Sequence, residues 1–150
     1  MPVEIASEII KQIAEELEMG MLCFYHKTDG SLEVYPDELS NPGFDEEFWE
    51  EAMEKVEENP GDYIAFEPMR SSEAFRVMKD FADGIGHIPT KNKFNDVLSQ
   101  KKPFANFDNM LGYYPDLRQE WFKYKEERYI QHVKDQLETA NLDEANEDDE

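Results

Sequence analysis

Apolar residues near the start of the chain recur at every third or fourth position. Ile5, Ile9 and Ile13 follow this spacing, and glutamates occupy many of the positions between them. The same period places side chains on one face of an α-helix. The pattern therefore predicts an amphipathic helix over residues 4–18. It ends before Gly20, since glycine is favoured just beyond a helix C-terminus.

Two short runs of β-prone residues come next, at 21–27 and 31–35, with Asp29-Gly30 between them. Aspartate followed by glycine is typical of a tight hairpin turn, because both residues accept positive φ. A third run of this kind covers residues 62–67. We expect these segments to form a small antiparallel sheet of about three strands.

The rest of the chain has helical periodicity. Each of five further segments begins with a residue that is typical of a helix start: Asp45, Ser71 or Ser72, Thr90, Pro103 and Asp116. The segment over 45–58 has a predicted buried stripe of five residues: Phe48, Trp49, Ala52, Met53 and Val56. With its helices packed on a small sheet and a helical C-terminal half, the chain is predicted to have an α+β fold.

The last helix, predicted to end near Leu137, has two apolar faces. One face carries Leu117, Trp121 and Tyr124, and the nearly opposite face carries Phe122, Tyr129, Val133 and Leu137. We expect this helix to touch two neighbours or to bend between them. Residues 138–150 contain seven acidic and no basic residues, which predicts a disordered acidic tail after a single domain over 1–137.

The formal net charge is −21, and it is unevenly distributed. Residues 1–58 carry 17 acidic and 3 basic side chains, whereas residues 59–137 carry 12 of each. Such a charge repels nucleic-acid phosphates and attracts proteins with a basic surface. The alternative is that the charge only keeps the protein dispersed.

The sequence gives little indication of catalytic or cofactor chemistry. His26, His87 and His132 lack metal-ligand spacing, and neither a phosphate-binding loop nor a nucleophile motif is present. Cys23 lies in an apolar run and cannot form an internal disulfide, which indicates a buried thiol in a reducing compartment. We expect no cofactor, no metal, no membrane segment and a cytoplasmic location.

A basic and aromatic stretch over residues 101–128 offers a candidate ligand site. Lys101 and Lys102 precede a helix N-terminus, where an anion can be held. Trp121 and Lys125 could stack on and pair with a nucleotide. The alternative is that the aromatic residues form the core, while the basic side chains pair with the acidic N-terminal half.

The chain resembles uncharacterised protein family 0158, a set of small acidic bacterial proteins. The similarity covers about residues 4–137. It rests on the order of elements and on a Phe-x-x-Met-x-x-Phe pattern, which begins at Phe75 inside a predicted helix. Five later residues match a family run: Phe104, Phe107, Leu111, Trp121 and Phe122. Where the family tends to have glycines around one basic residue, this chain has Gln-Lys-Lys-Pro. The resemblance implies the fold and a bacterial cytoplasm, but no activity.

Three functional hypotheses follow. The first is a non-enzymatic adaptor or regulatory protein that binds another protein through its acidic helices at 4–18 and 45–58. The second is a module that binds a small ligand, nucleotide or anion through Lys101, Lys102, Trp121 and Lys125. The third is an enzyme with carboxylate acid–base chemistry, although no acidic pair is distinguished among so many.

Overall fold

The structure, a computed structural model, describes residues 2–148. It has a three-stranded antiparallel sheet and six α-helices within those residues, which confirms the predicted α+β fold with a helical C-terminal half. The helices are α1 Ser7–Glu18, α2 Glu46–Glu58, α3 Ser71–Asp83, α4 Ile88–Leu98, α5 Pro103–Leu111 and α6 Pro115–Asp148. The strands are β1 Met21–His26, β2 Leu32–Pro36 and β3 Tyr63–Phe66, and a 3-10 turn covers Pro60–Asp62.

The chain groups into two compact units. The first unit combines the residues up to Pro68 with those from Tyr129 onward, and the second unit is Met69–Arg128. Helix α6 supplies residues to both units. The single domain over residues 1–137 stays a prediction.

The sheet of the first unit has the strand order β2-β1-β3. Both neighbours of β1 run antiparallel to it, with Cys23 opposite Val34 on one side and opposite Phe66 on the other. The hairpin turn differs from its prediction, because within the turn Gly30 has positive φ (+74°) and Asp29 does not. Instead, the Asp29 carboxylate accepts a hydrogen bond from the Ser31 N–H (2.8 Å), which fixes a longer loop.

Helix α1 packs on β1 through the stripe that the sequence predicts. Ile13 and Leu17 are almost fully buried, as are Cys23 and Phe66 of the sheet. These side chains form the apolar interior of the first unit, and their burial supplies the main favourable free energy for its folding.

The second unit is a helical cluster with an aromatic centre. Helix α4 contacts both α3 and α5. Phe94 and Phe107 are fully buried and lie 5.5 Å apart, centroid to centroid, with tilted planes. Rings in this edge-to-face geometry attract each other electrostatically, which adds to the stabilisation from burying their apolar area. The apolar stripes predicted for these helices therefore form one core.

Two predicted helix caps are wrong. Neither Ser71 nor Ser72 caps α3, which starts at Ser71 after Arg70 in an extended conformation. Thr90 does not cap α4 either, because the helix begins earlier and the Nδ1 atom of His87 faces the Thr90 N–H and hydroxyl. Asp45 of α2 is a confirmed cap, since its carboxylate accepts the Glu47 N–H at 3.1 Å.

Helix α6 continues beyond Leu137, where the sequence predicted its end, to Asp148. The Asn141 side-chain amide exchanges two hydrogen bonds with the backbone of Val3 (2.9 and 3.0 Å), and Lys27 forms an ion pair with Glu144. These contacts bring part of the predicted disordered tail, 138–150, into the helix. Its last two residues lie outside the described part of the chain.

The two predicted apolar faces of α6 are confirmed in part. Trp121 is buried in the aromatic cluster of the second unit, with Leu117 and Tyr124 packed against it. Tyr129 and Val133 are buried in the stretch of α6 that belongs to the first unit, whereas Phe122 is 53% exposed. Within the described residues, no helix is both long and apolar enough to cross a membrane.

Candidate functional site

Helix α2 presents a surface of carboxylates. Seven of its thirteen residues are glutamates, and all seven are exposed: Glu46, Glu47, Glu50, Glu51, Glu54, Glu57 and Glu58. Its one basic residue, Lys55, is directed to Glu33 of β2, at 3.4 Å. Within residues 2–146, none of the seven glutamates has a basic side chain at ion-pairing distance.

The carboxylates of α2 repel one another. The pKa of Glu54 is raised above its ordinary value, mainly by the negative charge of Glu50 and further by those of Glu58 and Glu57. Residues four apart lie on the same side of a helix, so Glu50, Glu54 and Glu58 form a line of like charges. A cationic partner would relieve this repulsion on binding.

Exposed apolar side chains accompany these charges. Phe48 is 77% exposed, and its ring meets that of Trp49 edge to face at 5.1 Å. Leu39, in the loop before α2, is 73% exposed. Large apolar side chains that contact solvent next to charged groups are typical of protein-binding surfaces.

The prediction that Phe48 is buried is wrong. Val56 is the one fully buried residue of α2 among those that the structure describes. Eight positions along a helix rotate a side chain by about 80°, so Phe48 lies well to one side of the face that Val56 turns inward. Trp49 is seven positions from Val56, nearly in line with it, and is half-buried.

The four residues of the predicted ligand site have different surroundings. Lys101 and Lys102 are exposed in the turn before α5, where Lys102 adopts the left-handed conformation (φ 55°). Lys125 is half-buried on α6. Trp121 is only 5% exposed. The structure therefore places two of the lysines at the surface and the indole in the core, and ligand binding by this set stays a prediction.

Trp121 serves the core of the second unit. Its ring lies 4.9 Å from that of Phe107 and 5.3 Å from that of Phe81, both in tilted or edge-to-face geometry. A base could stack on this indole only if Trp121 left the interior. This supports the core interpretation of the aromatic residues.

The alternative interpretation of the stretch has its basic residues pair with the acidic N-terminal half. Arg128 instead pairs with Asp80 of α3 at 2.9 Å, inside its own unit. It also donates a hydrogen bond to the Tyr124 hydroxyl (2.7 Å) and lies over the Tyr124 ring. No sequence pattern indicated this arrangement, because Asp80 and Arg128 are 48 positions apart.

Metal and nucleophile chemistry has no evident site in the part of the chain that the structure describes. No three His, Cys, Asp or Glu side chains there are grouped as metal ligands. The Nδ1 atom of His26 accepts backbone N–H groups of its own turn, and the Nε2 atom of His132 bonds the Glu67 carbonyl. Burial raises the pKa of the Cys23 thiol to about 12, so it is protonated and unreactive at neutral pH.

The fold and these surfaces define a class: an α+β protein with a small antiparallel sheet, an aromatic helical cluster and an exposed carboxylate-rich helix. The chain belongs to the Uncharacterised protein family (UPF0158), whose model matches residues 24–150. The resemblance predicted from the sequence is thereby confirmed.

A curated relative comes from the bacterium Pseudomonas aeruginosa. It is the UPF0158 protein PA5073, 27% identical over 90 residues that cover 60% of this chain and 59% of the relative. The chain thus spans about three-fifths of the length of this relative. No solved structure matches the chain.

Proposed function

We propose that the protein acts by binding another protein, and that helix α2 is the contact surface. The observation that carries this proposal is a helix with seven exposed glutamates and an exposed Phe48. The partner has a basic surface with an apolar recess, because the charges require a cation and the phenyl ring requires apolar cover. Such a protein is an adaptor or regulator.

Both predicted contact helices stay candidates, and two features support the choice of α2 over α1. Helix α1 exposes Glu8 and Glu15, but it also exposes Lys11 between them. Helix α2 adds the repulsion that raises the pKa of Glu54 and the exposed phenyl ring. Charge density and apolar area therefore coincide on α2.

We also propose that the protein works in the cytoplasm. The support is its single cysteine, which is buried and free. Proteins of oxidising compartments often rely on disulfides, whereas a lone buried thiol is ordinary in a reducing one.

Affinity capture with charge-reversal variants tests the protein-binding proposal. The full chain, tagged at one terminus, is used to retain proteins from an extract of its source cells. A second bait carries Glu50→Lys with Glu54→Lys, and the matched control carries Glu8→Lys with Glu15→Lys on α1. The two variants have the same net charge, so they differ only in where the charge is reversed.

We expect the wild-type and control baits to retain the same basic protein. The α2 variant should retain at least about tenfold less of it. Raising the salt concentration should release the partner from the wild-type and control baits, because exposed charge pairs are screened. Equal loss from both variants would show a general charge effect and contradict the proposal. Retention by all three baits would also contradict it.

A further inference from the structure

A cleft in the second unit forms a site distinct from the surface of α2. Its volume is about 560 Å³, within the range of about 300–1,000 Å³ that is usual for small-molecule sites. The walls come from the end of α3, the turn over residues 84–86 and one face of α6. Leu117, Glu120, Tyr124 and Glu127 line it from α6, at the spacing of three and four that defines a single helix face.

The walls combine apolar surface with negative charge. Phe81, Ile85, Leu117 and Tyr124 supply the apolar part, and the Phe81 and Tyr124 rings are 5.5 Å apart. Both rings are half-buried, so each retains accessible surface. Ring faces attract cations through their quadrupole, and the Tyr124 ring already has the Arg128 guanidinium over it at 5.6 Å.

Three carboxylates and one ammonium group border the cleft. Asp80 is engaged by Arg128, as described above, whereas Lys123 is the basic residue of the lining. Glu120 and Glu127 have no ion-pair partner within the described residues. With Lys123 counted against Glu120 and Glu127, the cleft keeps a net negative charge of one, which disfavours an anionic ligand.

Gly86 leaves open space in the wall. A Cβ atom placed there would meet nothing within 4 Å, and the backbone has no positive φ that would exclude a side chain. A larger side chain at this position can thus be accommodated by the backbone, and because Gly86 lines the cleft, we expect it to narrow the cleft. This makes Gly86 a means of closing the cleft without disturbing the core.

We propose that the cleft binds a small organic cation: an ammonium or guanidinium group joined to an aromatic or branched apolar body. The cationic group pairs with Glu120 or Glu127, and the apolar body packs on Phe81, Ile85 and Leu117. This proposal uses residues of the second unit only and shares none with the surface of α2.

The test uses three probes with the same phenyl ring and different charges: 2-phenylethylammonium, 2-phenylethanol and 3-phenylpropionate. Each is titrated into the ¹⁵N-labelled full chain and followed by the chemical shifts of its backbone amides. We expect the ammonium probe to bind at millimolar concentration and to shift amides of residues 80–86 and 117–127. Equal binding of the neutral or anionic probe, or shifts elsewhere in the chain, would overturn the proposal.

Variants separate the contribution of charge from that of space. Glu120→Gln with Glu127→Gln should raise the Kd of the ammonium probe about tenfold, the effect of losing a charge-assisted hydrogen bond. The matched control, Asp96→Asn with Asp108→Asn, removes two exposed acids of the same unit that do not line the cleft. It should leave the Kd unchanged. The same loss in the control would overturn the proposal.

Gly86→Leu should abolish binding while the thermal unfolding midpoint stays the same, and Gly86→Ala should retain binding. Should Gly86→Leu unfold the protein, the Kd of the variant with Glu120→Gln and Glu127→Gln still tests the proposal. Full binding by a folded Gly86→Leu variant would overturn the proposal.

Discussion

Two phenylalanines of α5 show how far one residue's surroundings depend on a small rotation. Phe107 is fully buried and contacts the rings of Phe94 and Trp121, whereas Phe104 is 42% exposed. Three positions rotate a side chain by about 60° to one side on a helix. Both residues fit the apolar stripe that the sequence predicts, so periodicity alone could not rank them. Their surroundings follow from the neighbouring helices.

We expect Phe107→Ala to lower the free energy of unfolding by about 3–5 kcal/mol, because it leaves a cavity among interlocking rings. Phe104→Ala, in the same helix, should cost less than about 1 kcal/mol, since much of its ring already contacts water. Urea unfolding followed by circular dichroism measures both. Equal losses would contradict the assignment of the aromatic cluster as core.

At the scale of elements, prediction succeeds where the signal is local. The Asp45 cap and Pro103 at the first position of α5 were both indicated by residue type. The His87 cap was not predicted, because histidine is not among the residues preferred at helix N-caps, whereas Thr90 is of a preferred type. The extension of α6 was missed because it depends on Val3 and Lys27, which are far away in the sequence.

Repulsion among its glutamates should lower the stability of helix α2. The raised pKa of Glu54 means that the folded state favours protonation of this carboxyl, so its ionisation opposes folding at neutral pH. We expect Glu54→Gln to be more stable than the wild type at pH 7. The difference should vanish as the pH falls below the ordinary value of 4.5, because the wild-type carboxyl is then protonated as well.

Unfolding midpoints in urea, measured from pH 7 to pH 3, check this expectation. The gain from Glu54→Gln should also shrink at about 1 M salt, where the screening length is about 3 Å. A gain that is constant with pH and salt would show that the substitution acts through something other than repulsion.

For the whole molecule, the charge distribution was readable from the sequence, but the surfaces were not. The excess of acidic residues in 1–58 is plain from composition. The exposure of Phe48 among the glutamates of α2 could be found only from the fold, since the sequence pattern predicted a buried side chain. The cleft beside Tyr124 likewise joins α3 to a helix that begins more than 30 positions later.

Aromatic and acidic residues therefore have different roles in the molecule as a whole. Aromatic side chains of the second unit fill its interior, with Trp121 at the centre, while the carboxylates of α2 are exposed and have no cationic partner among the residues that the structure describes. The exposed lysines before α5 are the strongest alternative for recognition, because Lys101 and Lys102 also reach solvent. The two interpretations place a bound partner on different residues.

The most direct test is to titrate the captured partner into the ¹⁵N-labelled full chain and map the amides whose chemical shifts change. The account predicts that the changes centre on residues 45–58, with the largest near Phe48, and that they disappear when Glu50→Lys and Glu54→Lys are introduced. Changes confined to residues 101–128, with those of α2 unaffected, would contradict it.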